Sequence, residues 1–280
     1  MSDIMWPGPF LKWPGGKRQL LREIVKRLPK KYDRYIEPFV GGGTVFFELN
    51  QKNAIINDIN PALINAYQQI KEHPYEFIEI VEEYDQGIID GRRLYYDYIK
   101  SEYNRKMLNG EYDLELSAMF VFLNKHCYNG LYRVNRMGLF NVPYNNLTNR
   151  SCERDNILLV SDLLQSATIL CGDFQNACDY ACSGNFVFID SPYDGKTFTS
   201  YTKDGFDDKS HRRLSEVFDE LTDKGVYCML TNHNTQFISE LYEKYNKSIV
   251  TVRRSINSDP LNRVGEEIII TNYELGGVDI

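Results

Sequence analysis

A chain of 280 residues, 42% hydrophobic and 25% charged, has the size and composition of one large globular domain or of a domain carrying a sizeable insertion. No apolar run reaches the length of a membrane span, and no basic segment followed by an apolar core opens the chain, so neither a membrane partner nor a signal peptide is expected. The net charge of −7 argues against a nucleic-acid partner only on average, because charge is unevenly spread along the chain.

Six cysteines occur without a C-x-x-C pair and four histidines are scattered, which gives no metal spacing and no disulfide framework. Reduced thiols in a cytoplasmic protein without a metal are therefore expected. Between Glu115 and Glu153 there is no carboxylate, while Lys125, Arg133, Arg136 and Arg150 lie inside that window. About five acids would be expected there at the chain's average content. Two shorter acid-free windows run from Lys12 to Arg22 and from Lys244 to Arg254. Local field, not total charge, decides where a polyanion docks.

In chain order, Lys12-Trp13-Pro-Gly-Gly16-Lys17 leads into an amphipathic helix from Gln19 to Leu28. A basic, aromatic and glycine-rich loop feeding a helix start suits an anionic group. Arg34 to Thr44 then reads as strand, glycine turn and helix, with Gly41, Gly42 and Gly43 allowing close approach of a ligand to the backbone. The next strand, Asn53 to Asp58, ends in an acid, the position from which a nucleotide-binding βαβ unit addresses ribose hydroxyls. The turn is not a G-x-G-x-x-G fingerprint and the chain has no G-x-x-x-x-G-K-[ST] loop. A nucleoside without a pyrophosphate fits better than NAD or ATP.

Helical patterns follow at Pro61 to Ile70, Pro74 to Tyr84, Arg92 to Met107 and Leu114 to Asn124. Turn residues then bracket two short runs and predict a hairpin around Arg136 to Gly138, rich in arginine, asparagine and aromatics. Arginine can read guanine bidentately, asparagine can read adenine, and apolar wedges can fill the gap left by a displaced base. Strands resume at Ala167 to Phe174 and Phe186 to Ile189. They continue at Gly225 to Leu230, Ser248 to Val252 and Glu267 to Thr271, with helices at Lys209 to Thr222 and Thr235 to Tyr245. Strands alternating with helices predict a mostly parallel sheet; the last two strands, joined without a helix, are expected to be antiparallel.

The run Phe186-Val-Phe-Ile189 lacks alternation, as in a strand buried on both faces. It stops at Asp190-Ser191-Pro192-Tyr193, where Pro192 blocks a helix and fixes a loop holding a carboxylate, backbone carbonyls and a ring. In open α/β sheets ligands bind at that edge.

Taken together, Lys12 to Lys17, Glu37-Pro-Phe-Val-Gly-Gly-Gly43, Asn57-Asp58, Tyr128-Asn-Gly-Leu-Tyr-Arg133, Phe140-Asn-Val-Pro143 and Asp190 to Tyr193 resemble the DNA adenine methyltransferase (Dam-type, D12 class) family, in that order and over nearly the whole chain. The resemblance implies a site-specific enzyme that moves a methyl group from S-adenosylmethionine to N6 of a flipped adenine in double-stranded DNA. It implies a class I S-adenosylmethionine-dependent methyltransferase sheet over residues 1–59 and 160–280, with a mainly helical target-recognition insertion bearing a β-hairpin over 60–159. By motif, Trp13, Lys17, Phe39, Gly41, Asp58, Asp173, Phe174 and Asp190 would hold the cofactor, and Asp190, Ser191, Pro192 and Tyr193 would form the catalytic loop. Lys12, Tyr128, Asn129, Leu131, Arg133, Asn135 and Pro143 would face DNA. A cognate restriction endonuclease, acting separately, is the further partner a restriction-modification pair would add.

Two departures stand out. Ser191 occupies the place where the family usually has proline, and Tyr144-Asn-Asn-Leu147-Thr replaces a Gly-Arg-Tyr-like stretch. The residues leave two alternatives open: N4-cytosine methylation, which uses the same loop chemistry, and a catalytically weak DNA-binding regulator. C5-cytosine methylation needs an attacking thiolate, and no cysteine here follows a proline.

Overall fold

The computed structural model of the chain describes residues 6–13, 15–195, 206–253 and 264–274. Helix α1 (Leu21–Lys26) precedes β1 (Tyr35–Glu37), α2 (Thr44–Leu49) and β2 (Ile55–Asp58). A helical stretch follows: α3 (Pro61–Glu72), α4 (Pro74–Asn109) and α5 (Leu114–His126), with a 3-10 turn at Tyr128–Gly130. After α6 (Arg154–Gln165) come β3 (Thr168–Cys171), α7 (Phe174–Cys178), β4 (Phe186–Ile189) and α8 (Asp208–Asp223). The described part closes with β5 (Tyr227–His233), α9 (Gln236–Leu241), β6 (Asn246–Arg253) and β7 (Val264–Thr271).

The seven strands form one sheet in the order β3-β2-β1-β4-β5-β7-β6. The first five are parallel, and β7 runs antiparallel to both its neighbours. This is the mostly parallel class I methyltransferase sheet that the motifs imply, and the helix-free β6–β7 pair is antiparallel as expected. Chain progression reverses between β1 and β4, which opens a crevice at their carboxyl ends.

Alternate residues of β4 serve opposite faces. Phe186 and Phe188 belong to the apolar cluster shared with α2 to α6, whereas Val187 and Ile189 pack with α7, α8 and α9. All four are fully buried. Each such side chain contributes roughly 1.5–3 kcal/mol relative to exposure, which explains why the strand carries no polar alternation.

The structure departs from the periodicity in several places. The run read as strand to Phe174 ends at Cys171, and α7 starts at Phe174 because Asp173 caps a helix there. The two expected helices between Pro74 and Met107 form as the limbs of α4; the first limb runs on past Tyr84, and the break falls at Arg92 (φ 49°, ψ −128°). There Tyr95 lies so close that a Cβ on Gly87 or Gly91 would come within 2.2 and 2.5 Å of it. Helix α6 was not expected; it buries Ile157, Val160, Leu163 and Leu164 and runs straight through residue 159. Helix α9 ends early because Tyr242 and Tyr245 turn in to pack on Phe218, at 5.2 and 4.7 Å between ring centroids. The hairpin forms through isolated bridges, Val134 with Phe140 and Cys127 with Tyr144, and not through a continuous ladder. Of the third acid-free window, Arg254 lies outside the described residues.

The glycine turn between β1 and α2 is closely packed. Gly43 caps α2 at φ 69°, and a Cβ there would sit 2.6 Å from the Tyr67 hydroxyl and 2.8 Å from the Phe47 ring. Gly43→Ala is expected to cost roughly 1–3 kcal/mol of folding stability, from strain and overpacking combined. A urea unfolding midpoint unchanged from that of the unaltered chain would contradict this.

Candidate active site at the carboxyl edge of the sheet

Asp190 follows directly on β4, at the mouth of the crevice. Its Oδ2 lies 2.7 Å from the Lys17 ammonium, and its Oδ1 accepts a hydrogen bond from the Thr231 hydroxyl at 2.9 Å. Burial pushes the Asp190 carboxyl above the ordinary range, and the Lys17 charge and the Thr231 hydroxyl oppose that shift. Lys17 is itself buried and also donates to the Gly15 carbonyl at 2.7 Å. A second buried acid, Glu37, stands at the end of the adjacent β1 and accepts from the Tyr35 hydroxyl at 2.7 Å. Burial raises its carboxyl well above the usual range, and the Asp190 charge adds to the shift.

The rest of the loop after β4 is held by β5 and β7. Asn232 accepts from the Asp194 N–H at 2.9 Å, and its amide nitrogen lies 3.5 Å from the buried Ser191 hydroxyl. The His233 Nδ1 donates to the Asp194 carbonyl at 2.7 Å. Tyr193 donates its hydroxyl to Glu267 at 2.8 Å, and Lys17 lies 4.7 Å from its ring centroid. Pro192 separates these two anchored positions.

Along the neighbouring strand ends the structure gathers the other expected cofactor residues. Phe39 stacks on Phe174 at 5.3 Å, and Phe206 meets both edgewise or tilted. Asp58 accepts from the Gly41 N–H at 3.0 Å and the Asn60 N–H at 2.9 Å, so this acid fixes the glycine turn. Each of its oxygens keeps a further lone pair for a hydroxyl donor. Burial raises its carboxyl above the ordinary range, against those backbone donors. Asp173 is engaged in the same way, one partner on each oxygen: its carboxylate caps α7 through the Gln175 N–H and pairs with Arg213. Trp13 stacks on Tyr132 at 5.5 Å and lies against the glycine turn, where a Cβ on Gly41 or Gly42 would come within 2.8 or 2.9 Å of it.

The expected DNA-facing residues form one outer surface. Lys12, Tyr128, Asn129, Arg133, Asn135 and Pro143 are exposed and Leu131 is half-buried, whereas Tyr132 between them points inward. The surface is fastened from beneath. Asn124 exchanges hydrogen bonds with the Lys12 backbone, 2.8 Å each way, and donates to the Gly130 carbonyl at 3.1 Å. Arg133 Nε donates to Asn141 at 2.9 Å. The Asn135 side-chain oxygen closes the hairpin turn by accepting from the Met137 and Leu139 N–H groups, which leaves only its NH2 to face outward. Buried His126 joins Asp85 of α4, Ser151 and the Leu147 carbonyl, and so holds the segment beyond the hairpin.

Several of these residues escape a reading of the sequence. Thr231, Asn232, Glu267, Asn124 and His126 act through partners far along the chain, and no local motif marks them. Asn57 is a partial exception, since it precedes the acid that ends β2. Its NH2 bridges the Pro38 and Gly172 carbonyls at 2.9 and 3.0 Å, bracing the ends of β1 and β3. Glu37 was legible only as a member of its motif. Among the described residues no group of three or more histidines, cysteines or acids could hold a metal ion, and no helix is long and apolar enough to cross a membrane.

A family model described as D12 class N6 adenine-specific DNA methyltransferase matches residues 13–256. A type II methyltransferase of Lactococcus lactis subsp. cremoris is 38% identical, covering 95% of this chain and 95% of its own length. A type II methyltransferase of Methanocaldococcus jannaschii is 40% identical, covering 95% and 99% respectively. A DNA adenine methylase of Haemophilus influenzae is 34% identical over 95% of this chain and 93% of its own length.

The ion pair at the crevice has a measurable signature. Lys17→Met leaves Asp190 buried without its cation, which should cost roughly 3–5 kcal/mol at neutral pH. Because the Asp190 carboxyl is already raised in the folded chain, acidification lets it bind a proton more readily there than in the unfolded chain. The deficit should therefore shrink as pH falls. Urea unfolding at pH 7.5 and 5.5 would test this; a deficit that grows at the lower pH would refute it.

Proposed function

The chain belongs to the D12 class of N6 adenine-specific DNA methyltransferases, and from that premise we propose how its residues divide the work and that S-adenosylmethionine is the methyl donor. Membership decides for N6 of adenine over N4 of cytosine, and for an enzyme over a DNA-binding regulator. The observation that carries the division of labour is Asp190, a half-buried carboxylate at the switch point of the sheet, held by Thr231 and Lys17 beside an anchored tyrosine.

The donor site suits a nucleoside bearing an amino acid. Phe39 and Phe174 offer stacked apolar walls, Asp58 has lone pairs for ribose hydroxyls, and the Gly41 turn lets the backbone come close. Lys17 suits the carboxylate end. When bound, S-adenosylmethionine supplies an electrophilic methyl group on a sulfonium. Asp173 caps α7, which fixes Phe174 in place, and its remaining lone pairs are available to the donor.

The chain's own residues supply orientation and proton handling. An exocyclic adenine nitrogen is a poor nucleophile because its lone pair is delocalised into the ring. Asp190 accepts one of its hydrogens and the Ser191 carbonyl the other, which favours a pyramidal nitrogen with its lone pair aimed at the methyl. For this the amine displaces Lys17 from Asp190 Oδ2. After transfer the nitrogen carries an excess proton, and the raised Asp190 carboxyl is matched to receive it. Pro192 stiffens the loop, and Tyr193 offers a stacking face to a base turned out of the duplex, offsetting an unstacking cost of a few kcal/mol. Ser191 keeps the carbonyl that proline would supply, so the departure from the usual motif spares this chemistry.

On this reading residues 1–59 and 160–280 form the catalytic domain and 60–159 the recognition insertion, with α6 binding the two across the boundary. Lys12, Tyr128, Asn129, Leu131, Arg133, Asn135 and Pro143 meet double-stranded DNA, with Tyr128 and Leu131 as wedges. A DNA substrate supports a cytoplasmic setting. Two relatives bear the name type II methyltransferase, which supports work beside a separately acting cognate restriction endonuclease.

Asp190→Ala is expected to abolish transfer of labelled methyl from S-adenosylmethionine to DNA while the far-ultraviolet circular dichroism stays unchanged. Turnover near that of the unaltered enzyme would overturn the assignment. The recognition surface yields a contrast between two arginines. Arg133→Ala should cost roughly 1–3 kcal/mol on the preferred site and relax preference at one base position. Arg150→Ala should weaken all sequences alike and flatten the salt dependence by about one unit of slope. Methylation rates on single-base site variants at several salt concentrations separate these outcomes; equal slowing of every site by Arg133→Ala would reduce Arg133 to a positioning role.

A further inference from the structure

Tyr193 is held at three points, and the farthest of them comes from another part of the chain. Its hydroxyl donates to Glu267 Oε2 at 2.8 Å. Its ring meets His233 edgewise at 4.8 Å between centroids, with planes 74° apart. The backbone after it is clasped by Asn232 and His233 through both polar groups of Asp194. The sheet itself brings these partners together, because the antiparallel register of β5 and β7 sets His233 opposite Glu267. The neighbouring Glu266 behaves differently: it is exposed and accepts from the Asn234 amide at 2.8 Å. Of two successive acids, only Glu267 is turned to the catalytic loop.

A tyrosine side chain has two torsions: the hydrogen bond at the tip of the ring fixes the first, and the His233 ring against its edge resists rotation about the second. We propose that Glu267 is a positioning residue for methyl transfer: by anchoring the Tyr193 hydroxyl it fixes where the ring stands, with His233 against its edge, and so places the face on which the displaced adenine stacks. The proposal rests on the reading that Tyr193 stacks on that base. A base entering between Asp190 and Tyr193 then meets two walls fixed by different strands, Asp190 through Thr231 of β5 and Tyr193 through Glu267 of β7. The amine reaches Asp190 at one angle because the ring cannot tilt away.

The test is a double-mutant cycle read by single-turnover methylation of a duplex carrying the target site. A parallel series uses 2-aminopurine at the target position, whose fluorescence rises when the base leaves the stack. Glu267→Leu and Tyr193→Phe should each slow transfer about tenfold, the scale of one lost hydrogen bond. The double variant should be no slower than either alone, because both remove the same contact. Glu267→Gln keeps an acceptor oxygen and should restore the rate to within about threefold of the unaltered enzyme. S-adenosylmethionine affinity by calorimetry should stay unchanged throughout the series. The small loss of urea midpoint from the missing bond should be about the same in the rescued Glu267→Gln as in the unrescued variants, so that stability alone does not track the rates. Multiplying losses in the double variant, or full activity in Glu267→Leu, would overturn the proposal. Tyr193→Ala separates the two levels. If it keeps both activity and the fluorescence signal, the stacking reading itself fails. If it loses them while Glu267→Leu does not, only the role of Glu267 fails.

Discussion

A carboxylate at the end of a strand buried on both faces must find a counter-charge, and the architecture around the crevice follows from that requirement. The core of the sheet fixes β4, and β4 delivers Asp190 where water cannot solvate it fully. Lys17 answers from the loop before α1, so the charge balance of one side chain draws the start of the described chain across the sheet. Once Lys17 is fixed, the glycines beside it and Trp13 before it are fixed too. The glycine turn, the aromatic stack and the catalytic loop thus share one electrostatic reason for being adjacent. Breaking such a buried pair costs far more than forming it gains, because the remaining ion stays uncompensated.

Much of this was legible in the sequence, and the reason is local. The non-alternating run Phe186 to Ile189 announces a doubly buried strand, and an acid followed by a proline announces its functional end. The strand–glycine–helix unit at Gly41 and the acid ending β2 are similarly local. Helix α6 is absent from the expected elements although Ile157, Val160 and Leu164 have helical spacing. The break in α4 falls at Arg92, the expected start of the second helix.

What the sequence concealed is pairing across the sheet. Thr231, Asn232 and Glu267 lie in strands whose apolar pattern reveals burial but not register. A shift of one residue between β5 and β7 would turn Glu267 away from the site and Glu266 towards it. The same holds for Asn124 and His126, polar residues in an otherwise apolar helix. They read as core exceptions until their partners, the Lys12 backbone and Asp85, come into view. Long-range hydrogen bonds of this sort are invisible to periodicity, and they account for most of the residues that hold the site without forming its motifs.

The exposed recognition surface has a consequence for how the molecule travels. A chain of net charge −7 that holds no acid between Glu115 and Glu153 spreads its charge unevenly. On the proposed division of residues, phosphate is repelled by the acidic remainder and attracted by exposed Lys12, Arg133 and Arg150. A polyanionic duplex therefore exerts a torque on the protein before any contact forms, turning it so that the hairpin leads. Encounters in other orientations end quickly, and the enzyme spends little time bound the wrong way round. A protein basic on every side would hold DNA more tightly, and it would do so in many poses that bring no adenine to Asp190.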